Sequence, residues 1–253
     1  MTGSPAQATR PSPVTGSALV RLLAALQAPG APSVTVAKGA FAERLSRWVD
    51  WRDAISLSSA LNTEPAPPPA RAVALPAGNV ASAHERECRR VRAGLTALIE
   101  QAPAGKTEPR PLNPTAAARR AAPEPASIDF PAYRQRCLGV QQAMETQLGA
   151  LRQRLQAALA ARSPEMARLA ALDAVMAPIV GAQEQALLAS VPASLGLHFE
   201  RLRRAQAQAA APGTVPSTEW LDLFCQDMRA LLLAELDHRM QPIEGLLAAL
   251  RGS

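Results

Sequence analysis

The chain has 253 residues, 48% hydrophobic but only 3% aromatic, with 27 basic against 21 acidic side chains and a formal charge of +6. That length leaves one large or two small domains open. The Ala- and Leu-rich composition excludes a sheet-dominated fold, because Ala and Leu favour helix while the scarce Val, Ile and aromatics are the residues that suit a pleated surface.

Residues 1–14 are rich in Pro, Ser and Thr and read as a disordered tail. A segment over 15–62 follows. Thr15 offers an N-cap, and Leu19, Leu22, Leu23 and Leu26 recur at helical spacing until Pro29-Gly30 stops the helix. A second helical region runs from about Thr35 to Leu61. Its face of Phe41, Leu45, Trp48 and Val49 loses phase near Asp50, which predicts a bend or two abutting helices. The proline run in 63–79 removes backbone donors and predicts an extended linker. A basic helix over 80–101 carries Val91, Leu95, Leu98 and Ile99, and a second Pro-rich linker fills 102–128.

The remainder, 129–253, reads as a helical bundle. Phe130, Tyr133, Cys137, Val140, Met144, Leu148, Leu151, Leu155 and Leu159 step by three or four, predicting one long helix of roughly 50 Å. Ser163-Pro164-Glu165 combines an N-cap, a proline at the first helical position and a first-turn acid, so the next helix turns back antiparallel. That helix shows the stripe Met166, Leu169, Leu172, Val175 or Met176, Ile179, Val180 and Leu187, with a kink expected at Pro178. A shorter helix after Val191-Pro192 carries Leu195, Phe199 and Leu202. The last begins after Ser217 with the stripe Leu221, Phe224, Met228, Leu232, Leu236, Met240, Ile243, Leu247 and Leu250, and Pro242 should kink or restart it. The fold expectation is all-α: an elongated antiparallel helical bundle with short N-terminal helices and two Pro-rich disordered linkers. The hydrophobic period drifts from a strict 3.5, which argues mildly against a regular coiled coil.

No glycine-rich phosphate loop, nucleophile elbow or HExxH pattern is present, so no catalytic, cofactor-binding or metal residue is assigned and no enzyme is expected. Cys88, Cys137 and Cys225 are odd in number and far apart, which suits buried thiols in a reducing compartment rather than disulfides or structural zinc. His84 and Cys88 share a helical face, but zinc wants three or four ligands. Glu235 and His238 match a single Glu-x-x-His, where di-iron bundles use two, so His238 reads as a surface salt-bridging histidine. No secretory signal and no stretch of membrane-spanning length is read, and the location expected is cytoplasmic.

Two surfaces are candidates for partners. Arg86, Arg89, Arg90 and Arg92 form the densest basic patch; it suits phosphate contacts, but Glu85 with Arg89 and Glu87 with Arg90 explain it as a solvated, helix-supporting face. Trp48, Asp50, Trp51 and Asp53 form a candidate protein interface, because tryptophan dominates interface energetics. Trp48 is in phase with Phe41 and Leu45 and suits the core; Trp51 is out of phase, which suits equally an exposed position or one buried against the C-terminal bundle.

The segments Gly16–Leu23, Phe41–Trp48, Asp50-Trp51 and Asp53–Leu57 resemble a family of uncharacterised proteobacterial proteins carrying a domain-of-unknown-function label. Members of that family lie beside genes for MotA/TolQ-like membrane proteins and OmpA-type peptidoglycan-binding proteins. The resemblance therefore implies a cytoplasmic accessory of an envelope-associated complex. The functional expectation is a non-enzymatic helical adaptor that uses its long C-terminal helices for protein contact, through self-association or within an envelope complex. The alternative is a nucleic-acid-associated protein working through its basic N-terminal half.

Overall fold

The structure, a computed structural model, describes residues 17–26, 48–62, 77–103, 129–209 and 218–252. The expected tail at 1–14, nearly all of both Pro-rich segments, and Phe41 and Leu45 lie outside the described residues. Within them the secondary structure is helical, without a strand: α1 (Ala18–Leu26), α2 (Trp51–Asn62), α3 (Ala77–Gln101), α4 (Phe130–Ala160), α5 (Pro164–Leu188), α6 (Val191–Ala209) and α7 (Glu219–Gly252). The protein is an all-α helical bundle.

The long helix α7 is central, packing against α1, α3, α4 and α6. Its stripe is buried as the 3.6 period predicts, from Phe224 to Leu250, with Leu221 half-buried. It is also wider than predicted, because Leu231, Ala234, Glu235 and Leu246 are buried too. A helix touched on several sides needs more than one apolar stripe. In α4, every predicted position from Cys137 to Leu159 is buried, while Phe130 and Tyr133 are half-buried.

Those two rings join Phe199, Trp220 and Phe224 in a cluster with centroid separations of 5.0–6.4 Å among the paired rings. This tilted and edge-on packing locks the start of α4 to α6 and α7. Gly196 of α6 sits against it, for a Cβ there would come within 2.9 Å of Phe130 Cε1.

The core extends beyond 129–253. Helix α3 buries Cys88, Val91, Leu95 and Ile99 against α4 and α7, whereas Leu98 lies at the rim. Helix α1 buries Leu19, Leu23 and Leu26 against α6 and α7. Nine residues are too few for a stable isolated helix, so this docking holds α1 in shape. Ser17 caps it, its Oγ accepting from Val20 N and its carbonyl from Arg21 N, while Thr15 lies outside the described residues.

The turn before α5 forms as read, with Ser163 Oγ accepting from Met166 N at 3.2 Å. Both α5 and α7 run through their internal prolines, Pro178 and Pro242, without restarting. At Pro242 the lost backbone hydrogen bond is offset by burial on both sides, at Met240, Ile243, Leu246 and Leu247.

Helix α5 departs most from expectation. It packs against α4 and α2, yet buries only Ala170, Ile179 and Leu188. By length and composition alone the helical run Pro164–Ala209 could cross a membrane, which the sequence reading did not anticipate; its most apolar window has mean hydropathy 1.2 and is 17% buried. In the bundle, a charged clamp ties α5 down. Arg152 of α4 grips Asp173 through two bonds of 2.8 and 2.5 Å, and Gln156 adds a third of 2.7 Å. Burial works to raise the Asp173 pKa, but these donors outweigh it and hold the carboxyl below its ordinary value.

Candidate protein-binding face

Helix α2 owes its start to the two aspartates singled out in the sequence. Asp53 N donates to Asp50 Oδ1 at 2.8 Å, and Asp50 N donates to Asp53 Oδ2 at 3.2 Å. This reciprocal pair is a capping box, with an acid at the cap and another three residues on. It satisfies two orphan donors and sets negative charge at the positive helix end. Sequence reasoning missed it, although the spacing Asp-x-x-Asp carries the signal. The helix breaks at Val49 and Asp50, where the phase slip lies.

With the cap in place, Trp51 becomes the first residue of α2 and points outward, 80% exposed, whereas Trp48 is half-buried. Ile55, one turn on, is 53% exposed. Trp51, Ala54, Ile55, Ser58, Ser59 and Asn62 line a shallow hollow of about 570 Å³ along one helix face. The opposite side of α2 carries the half-buried Asp53, Leu57 and Ala60, and α2 packs against α5. A large aromatic held rigidly on an exposed helix is the residue type that anchors protein interfaces.

The basic patch is placed differently. Arg92 reaches across to α7, pairing with Glu244 at 2.8 Å and with Asp237. Arg90 lies 4.0 Å from Glu87, whose closer partner is Arg154 of α4 at 2.9 Å. Glu85 pairs with Arg251 of α7. Arg86 donates to its own helix at Ser82 O. Arg89, Arg92 and Arg251 line a groove of about 520 Å³ together with Glu85, Cys88 and Glu244. Arg92 thus ties α3 to α7, Glu85 and Glu87 of the same run add ties to α7 and α4, and Arg86 and Arg90 engage their own helix.

Glu235, through Gln141, also ties helices together. Glu235 lies inside the core at 0% exposure, not at the surface that the Glu-x-x-His spacing suggested for its neighbour. Its Oε1 accepts from Arg239 at 3.0 and 2.9 Å, and its Oε2 from Gln141 at 2.9 Å. Gln141 also donates to Leu188 O, joining the end of α5 to α4. Burial pushes the Glu235 carboxyl above the usual range against the pull of Gln141 and Arg239. His238 is half-buried, 3.7 Å from Glu184. His84 lies 3.7 Å from Glu87, while Cys88 beside it is buried. Burial pushes the Cys137 thiol up to about 12.

One polar cluster was not foreseen at all. His198 of α6 is buried, with Nε2 2.7 Å from Asp227 and Nδ1 2.7 Å from Arg201 Nη2. A guanidinium can only donate, so Nδ1 accepts and the Nε2 proton faces Asp227. The same Arg201 nitrogen donates to Leu26 O, capping the carbonyl end of α1. This network fixes the N-terminal helix to the bundle. A lone histidine, an arginine and a distant aspartate carry no spacing that would reveal it.

The family described as "Protein of unknown function (DUF3348)" matches residues 5–252. The chain belongs to the DUF3348 family. The likeness noted over the N-terminal helices thus extends through α3 and the C-terminal helices. No curated protein and no solved structure matches the chain. In this DUF3348 chain the face of α2 is the described surface that combines an exposed indole, a neighbouring exposed aliphatic and a hollow between them.

Proposed function

We propose that this protein is a non-enzymatic helical adaptor whose binding surface is the outward face of α2. The observation carrying this reading is Trp51, 80% exposed on a helix that the bundle supports through α5. An exposed indole and isoleucine gain free energy when covered, at about 25 cal/mol per Å² of apolar surface. Glu235 pairs with Arg239 and His198 with Asp227, so these two interior ionisable groups have structural partners. The resemblance over the N-terminal helices supports an envelope-associated complex, approached from the cytoplasm, as the setting. The test uses the full chain as bait against envelope extracts beside Trp51→Glu. The expected result is a partner retained by the native chain and lost by the variant at equal thermal stability. Equal capture by both would refute the reading.

A further inference from the structure

We infer that the outward face of α2 binds a second copy of this chain, with the two helices antiparallel about a two-fold axis. The inference rests on the reading of this face as a protein-binding surface and names its occupant. Three observations converge on self-pairing.

The first is shape. Bulk is graded along the hollow: Trp51 and Ile55 stand toward the N-terminal end, Ser58, Ser59 and Asn62 toward the C-terminal end, with Ala54 between. Laid antiparallel on a copy of itself, the face brings Trp51 over Asn62, Ala54 over Ser59 and Ile55 over Ser58. Each large side chain then enters the space above a small one, as an isologous interface requires. A parallel pair would set Trp51 on Trp51 and leave the small residues facing each other across a gap.

The second is charge. The six lining residues carry none, whereas the groove between α3 and α7 is lined by Glu85, Arg89, Arg92, Glu244 and Arg251. A chain of +6 repels its copy at long range, so self-contact is easiest where the meeting surfaces are neutral.

The third is area. Trp51 and Ile55 on this face are 80% and 53% exposed. Pairing two such faces covers on the order of 1,000 Å² in total, at the lower edge of self-sustaining interfaces. Area of that size does not fix an affinity, so dimer formation is followed over roughly 1 to 100 µM.

Sedimentation equilibrium of the full chain across that range tests the inference, with Trp51→Glu as the variant. Trp51 is exposed, so the substitution leaves folding intact, which circular dichroism verifies. A register test accompanies it: Ala54→Cys and Ser59→Cys chains, both in a Cys225→Ser background, are mixed and oxidised. Self-pairing as described gives a concentration-dependent dimer, its loss in Trp51→Glu, and a mixed 54–59 disulfide in excess of either self-linked product. A native chain that stays monomeric, a dimer indifferent to Trp51→Glu, or dominant self-linking at 54 overturns the inference. If the chain is monomeric while Trp51→Glu still loses an envelope partner, the second copy is refuted and the binding face stands. If neither dimer nor partner responds to Trp51→Glu, both readings fall.

Discussion

Replacing Arg239 by methionine keeps most of the aliphatic stem and removes the cation that faces a carboxylate with no exposed surface. Glu235 Oε1 loses both its bonds, of 3.0 and 2.9 Å, and Oε2 keeps only Gln141. Stripping one partner from a buried ion pair costs about 3–5 kcal/mol at neutral pH. For a chain of this size that lowers Tm by on the order of 10 °C. The deficit depends on pH. The folded carboxyl already titrates above its unfolded value, burial being the largest cause. Stability linked to such a group is full below the unfolded pKa of about 4.3 and is lost as pH rises through the folded pKa. Without Arg239 the folded pKa climbs further, so the gap between variant and native chain is narrow near pH 4.5 and opens toward about pH 8. Urea unfolding at both pH values, followed by far-ultraviolet circular dichroism, measures it. Adding Glu235→Gln to Arg239→Met removes the stranded charge and should abolish the widening. A deficit equal at the two pH values, or below about 1 kcal/mol at the higher one, would refute the account of a charge held in the core by its neighbour.

Asp173→Asn should cost about 1.5–3 kcal/mol at neutral pH, because it discharges the acceptor of Arg152 and Gln156. The Asp173 carboxyl is depressed, so its contribution is present above the unfolded value of about 3.9 and is lost as pH falls through the folded pKa. The native and variant unfolding curves should therefore converge only in acid. Gly196→Ala and Gly139→Ala should have opposite signs. At 196 the new methyl meets Phe130 Cε1 at 2.9 Å inside the aromatic cluster, and overpacking of about 1–3 kcal/mol outweighs the helix gain. At 139 nothing lies within 4 Å, and the gain of about 0.4–1 kcal/mol stands alone in chemical denaturation. Leu23→Ala should cost about 2–5 kcal/mol and release α1, read as faster amide exchange across Ala18–Leu26 than in α4 or α7. Protection of α1 unchanged by Leu23→Ala would contradict its docking.

Much of the fold could be read from spacing. The apolar positions of α4 and α7 are buried nearly one for one, the serine-proline turn before α5 forms its cap, and the break before Trp51 falls where the phase slips. Each is local: a residue and its neighbours three or four places away share a helix face, or a side chain reaches the backbone within one turn. The candidate interface was legible in part, since Trp51 was out of phase with the buried stripe. The aspartates beside it were read as recognition groups and are a helix cap. Arg92 was read with its helical neighbours, yet it pairs with Asp237 and Glu244 on another helix.

What the chain's letters alone determine here is the set of rods and the side of each that avoids water, because helical period and capping act within a few residues. What only the assembled bundle decides is which rods share a core, why Glu235 is inside it, how Arg201 and His198 hold α1, and that Trp51 is left uncovered. Those outcomes depend on groups tens to more than a hundred residues apart meeting in space. An apolar stripe states that it must be covered; it does not name the surface that covers it.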